Sequence, residues 1–127
     1  MASPASGPTN IGVAPNVGGL LCYVPCCIGF IFSIVVVIVE KQSRFVRFHA
    51  FQSLLLNGAV IVVWVGSMAL RAALYFAGLG MVTILVTVAM WAVLVAGLVV
   101  LIMMMIKANN GEQFSLPVIG ELASKWV

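Results

Sequence analysis

Apolar residues fill this chain in two long runs, and the polar positions gather at their edges. The first run covers residues 17–39 and the second covers residues 53–106, interrupted by Arg71. A membrane-crossing helix needs about 20 apolar residues at a rise of ~1.5 Å each. The first run therefore predicts one crossing. The second, more than twice as long, predicts two, with a turn at Gly78-Leu79-Gly80. The pattern is that of an all-α integral membrane protein with three transmembrane helices. Residues 1–16, rich in Pro, Gly, Ser and Ala and without charge, read as a flexible tail. Residues 17–106 form the transmembrane domain and residues 107–127 an amphipathic tail. In that tail Val118, Ile119, Leu122, Ala123 and Trp126 share one helical arc after Pro117. This arrangement suits a C-terminal interfacial helix anchored by Trp126.

Composition sharpens the reading. Hydrophobic residues make up 64% and charged residues 7% of the chain, against ~45–50% and ~25% in soluble domains. The net charge of +3 comes from six scattered basic residues, which make no basic patch and argue against a nucleic-acid partner. They act as topology signals instead. Lys41, Arg44, Arg47, Lys107 and Lys125 fall on one side of the expected spans and only Arg71 on the other. That bias predicts the N-terminus outside and the C-terminus in the cytoplasm. No Lys or Arg precedes the first run, which is also longer than the apolar core of a signal peptide, so it is expected to stay in the membrane.

The stretch between the runs carries most of the chemistry. Placed on a helix at ~100° per residue, His49, Gln52, Ser53 and Asn57 line one arc, while Arg44, Arg47, Phe48, Phe51 and Leu55 line the other. The polar stripe and the arginines are candidate interaction residues, with Lys107 at the end of the last span. In the first run Gly18, Cys22, Cys26, Gly29 and Ser33 recur at three- and four-residue spacing, a candidate packing seam that lets helices approach closely. Cys22, Cys26 and Cys27 do not match a zinc spacing, so packing is the expected use of Cys22 and Cys26. The tail is expected to fold back onto the Arg/Phe face, joining Glu112, Glu121 and its apolar arc to Arg44, Arg47, Phe48 and Phe51.

One His, three Glu and no Asp cannot build a triad, a paired-carboxylate site or a metal cage. The chain is therefore expected to be no enzyme and to carry no cofactor or metal. Glu40-Lys41 followed by Arg44-Phe45-Val46-Arg47-Phe48-His49-Ala50-Phe51-Gln52-Ser53 resembles the entry motif of a small bacterial membrane-protein family of unassigned function. That family is grouped with the twenty-kilodalton component of the chloroplast inner-envelope import translocon. The segment Leu116-Pro117-Val118-Ile119-Gly120-Glu121-Leu122-Ala123, preceded by Lys107-Ala108 and Gly111, resembles its C-terminal signature. The resemblance implies a bacterial inner membrane and, through the import relatives, a protein-translocation pathway. From the residues themselves the leading expectation is a structural or accessory subunit of a larger membrane assembly. Its partners would be the bilayer and other membrane subunits or copies of itself.

Overall fold

The computed structural model describes residues 7–25 and 27–127. Among them there are five helices and no strand: α1 (Pro15–Leu21), α2 (Cys27–Val39), α3 (Arg44–Phe76), α4 (Gly80–Asn109) and α5 (Ile119–Trp126). Only α3 and α4 are long and apolar enough to cross a membrane. At ~1.5 Å per residue they reach ~50 and ~45 Å, whereas α2 reaches ~20 Å and falls short of a ~30 Å hydrocarbon core.

The expected first span is not one helix, because the run of residues 17–39 is broken and folded back. Pro25 cannot donate to a helical ladder and restrains Val24 against helical geometry. The last N–H groups of α1 tighten, Tyr23 to the Leu20 carbonyl at 3.0 Å and Val24 to that of Leu21 at 3.4 Å. The Cys22 carbonyl is taken by the hydroxyls of Ser33 (3.2 Å) and Ser53 (2.5 Å). After the break α2 runs back antiparallel to α3. Both ends of the folded segment consequently lie together. The backbone N–H of Asn10 donates to Glu40 Oε2 at 2.7 Å, and the Asn10 side chain accepts from Lys41 N–H at 2.7 Å. Residue 10 and residue 40 cannot then sit on opposite sides of a bilayer. Residues 9–16, assigned to the tail by composition, are held at this end of the bundle.

The core sits at that end, which also holds Lys41, Arg44, Arg47 and Lys107 and is called the basic end below. Helix α1 lies between α3 and α4, α2 packs along α3, and α5 covers α3 from outside. Tyr23, Phe45, Val46, Phe48, Met104 and Ala108 are buried here. Gly19 permits the close approach of α1: an added methyl would meet Phe45, Ala108 and His49 at 3.1–3.2 Å. Beyond Pro25, the α3–α4 hairpin continues alone to the turn at Gly78, and Ile61, Val62, Val65, Val88 and Trp91 are exposed. The turn is closed by Leu79 N–H to the Leu74 carbonyl and Gly78 N–H to that of Tyr75, with Gly78 at φ 78°. The same two-bond cap ends α4, at Gly111 with φ 80°.

Candidate functional site: a polar knot beneath a C-terminal strap

Three polar residues of the entry stretch turn inward at the basic end. His49, Gln52 and Ser53 are fully buried on one arc of α3, and Tyr23 reaches them from the helix break. The Tyr23 hydroxyl lies 3.0 Å from His49 Nδ1 and accepts from Gln52 Nε2 at 2.8 Å. His49 Nε2 faces the Glu112 carbonyl at 3.2 Å. A carbonyl only accepts, so Nε2 carries the proton and Nδ1 accepts from the Tyr23 hydroxyl. The neutral ring thereby satisfies every member of the chain. Phe45 (ring centroids 4.5 Å apart) and Phe48 (5.5 Å) wall in the imidazole edge-on.

Across this knot lies an extended strap, residues 112–116, joining α4 to α5. Gln52 Nε2 also donates to the Phe114 carbonyl at 3.1 Å, and the Leu116 N–H donates to Gln52 Oε1 at 2.9 Å. Glu112, Phe114 and Leu116 alternate, so one edge of an extended segment meets positions three apart on a helix. Lys107 pins the strap from the side, paired with Glu112 at 3.1 Å and lying 4.7 Å from the Phe114 ring centroid. No buried side-chain polar atom among the described residues lacks a partner.

The strap delivers α5 to the outer arc of α3. Trp126 lies edge-on to Phe51 at 6.0 Å, and Arg47 stacks on the same Phe51 ring at 5.6 Å. The tail therefore docks through its aromatic end rather than through acid–arginine pairs: Lys107–Glu112 is the one ion pair among the described residues. Arg47 instead donates to the Glu40 carbonyl at 2.7 Å, closing the end of α2. Gly120 is required by contact, because a methyl there would collide with Ser115 Oγ and lie 2.8 Å from Gln52 Oε1. Val118, at φ 63° and ψ −56°, centres a tight turn closed by Ile119 N–H to the Pro117 carbonyl at 2.6 Å.

The other expected positions are distributed around this knot. Asn57 donates to the Ser53 carbonyl at 2.8 Å, one turn deeper. Gly18, Cys22 and Ser33 face the bundle interior. Gly29 meets the Val24 backbone across the fold-back rather than a separate helix. Cys26 lies outside the described residues. Arg44 is exposed at the start of α3.

Sequence reasoning did not single out Tyr23 or Asn10, and it marked Glu40 only within the entry motif, not as a cap. Glu40 is fully buried and accepts four backbone N–H groups, from Asn10, Ile11, Gln42 and Ser43. Burial alone would raise its pKa, but these four bonds outweigh it and hold the carboxyl below its ordinary range. A lone acid directly after an apolar run was the available signal for such a cap.

No group of three His, Cys, Asp or Glu side chains among the described residues is placed to hold a metal. A buried knot of paired neutral groups, mounted on two membrane-length helices, defines a small helical membrane protein whose buried polar side chains are paired within the fold. Residues 9–123 match the magnetosome magnetite crystal formation protein family, and the chain belongs to that family. Three archaeal proteins, each named only as a UPF0132 membrane protein, are similar over most of their length. One from Methanocaldococcus jannaschii is 38% identical over 120 residues, covering 94% of both chains. A second from that organism is 29% identical over 91% of this chain and 72% of its own. One from Archaeoglobus fulgidus is 31% identical over 88% of this chain and 94% of its own. No solved structure matches. The small membrane-protein family expected from the entry motif thus holds, but neither the family description nor these names refers to chloroplast import.

Proposed function

We propose that the protein is a non-enzymatic accessory subunit of a membrane assembly, with two spans rather than three. In this reading α3 and α4 cross the bilayer, and α1 and α2 form a re-entrant hairpin dipping in from the basic end. Irregular backbone at membrane depth is tolerated where protein covers it, and Cys22 and Tyr23 are fully buried. The excess of Lys and Arg at the basic end favours the cytoplasm for that end, which brings both termini there. A cytoplasmic membrane is the expected home.

The observation that carries the subunit reading is the bare far half of the α3–α4 hairpin. One half of the bilayer would hold four packed segments and the other only two helices, leaving lateral room for neighbouring helices. Transport gains less support, because the cleft beside Pro25, about 200 Å³, is bounded by Leu56, Val60, Leu94 and Leu98, with Asn57 the one polar side chain. The family description concerns magnetite crystal formation. Direct contact with mineral would call for clustered oxygen ligands, yet this chain has three Glu and no Asp, with Glu40 buried. Shaping or scaffolding a membrane suits it better.

Solubilisation in mild detergent, followed by light scattering and identification of co-purifying chains, tests the proposal. An assembly larger than one chain is expected. A monodisperse monomer that brings nothing with it would overturn the subunit reading.

A further inference from the structure

The basic end carries a concavity that the polar knot does not use. It encloses about 510 Å³ between Gly7-Pro8, the start of α3, the strap and the outer end of α5. Its floor is the pair of buried rings Phe45 and Phe48. Its rim presents Arg44 together with the side-chain amides of Gln42 and Gln113 and the Ser43 hydroxyl. The Ser43 oxygen already accepts from Val46 N–H, so its proton is free to donate outward.

Arg47 is occupied with the Val37 and Glu40 carbonyls and the Phe51 ring, and Lys107 with Glu112 and Phe114. Arg44 has no hydrogen bond, ion pair or aromatic partner among the described residues. No Glu side chain lines the cavity. Glu40 is turned onto four backbone N–H groups and Glu112 onto Lys107. An entering anion therefore meets a guanidinium and neutral donors with no Glu side chain opposing it, while Val127, the last residue of the sequence, also borders the cavity.

We propose that this cavity binds a phosphate group, carried by an anionic phospholipid or present as free phosphate. A guanidinium fork matches phosphate oxygens, and basic pockets at the ends of membrane helices take anionic headgroups. The aromatic floor would receive the apolar part of a lipid. The site does not depend on the subunit reading, since a lone chain has all its parts.

Native mass spectrometry of the purified full chain with added dioleoyl phosphatidylglycerol or dioleoyl phosphatidylcholine tests the lipid source, and calorimetry with inorganic phosphate tests the free anion. One retained phosphatidylglycerol is expected, weakened about tenfold in Arg44→Gln by loss of a charge-assisted hydrogen bond. Arg44→Lys, which keeps the charge but not the fork, should fall between, and Lys125→Gln should change little. Phosphate binding with the same Arg44 dependence, without phosphatidylglycerol binding, would support the site and assign the free anion. Absence of both, or equal losses in Arg44→Gln and Lys125→Gln, would overturn it.

Discussion

Two side chains decide the basic end, and each works by satisfying polar groups that the fold buries. Glu40 gathers four backbone N–H groups from two stretches about thirty residues apart, so it ties the N-terminal segment to the α2–α3 connection. Glu40→Gln would replace one accepting oxygen with a donor aimed at other donors, costing about 2 kcal/mol of stability in detergent unfolding. Its pKa is depressed in the folded protein, so its stabilisation is complete above the unfolded value and declines as pH falls through the folded one. The wild-type protein should therefore lose stability as pH drops below about 4, near the ordinary Glu value, while Glu40→Gln should show a shallower decline. Equal slopes would refute that linkage. Tyr23 is the second such group. Tyr23→Phe would leave His49 Nδ1 and one Gln52 N–H unpaired, and a loss of ~1–3 kcal/mol is expected. Unchanged stability would mean that water or a rearranged Gln52 replaces the hydroxyl.

At the scale of elements, the fold depends on two glycines that permit backbone contact. Gly29 faces the Val24 backbone where the chain doubles back, and Gly120 lies against Ser115 and Gln52 where α5 leaves the strap. Gly120→Ala should cost ~1–3 kcal/mol through overpacking and should raise proteolytic cleavage between residues 112 and 127. Gly29→Leu should disrupt the hairpin more severely, read as lost monodispersity in detergent. Ser124→Ala, which removes only a hydroxyl bonded to the Gly120 carbonyl within α5, serves as the mild control. The inward arc of His49, Gln52 and Ser53 was legible because helical spacing alone gathers it. The break at residues 22–25 was not. Pro25 in an apolar run is as compatible with a kinked span as with a fold-back. The deciding partners, Ser33 and Ser53, lie 11 and 31 residues from Cys22. Gly120 was likewise unreadable, since its contacts lie on the strap and on α3.

The whole molecule is a two-helix hairpin with one end enlarged. The long second apolar run reads directly as α3 and α4, because length and hydropathy suffice for helices that lie mostly outside the core. The first run has the right length for a span, yet becomes two short helices because Asn10 and Glu40 meet, and hydropathy does not record that meeting. Hydropathy and charge alone predict three spans and an external N-terminus, whereas the fold supports the two spans and re-entrant hairpin proposed above. The direct test is a pair of topology reporters, one fused before Met1 and one after Val127, read in intact cells. The account predicts that both report the cytoplasmic side. An external N-terminal reporter with a cytoplasmic C-terminal one would contradict it and restore three crossings.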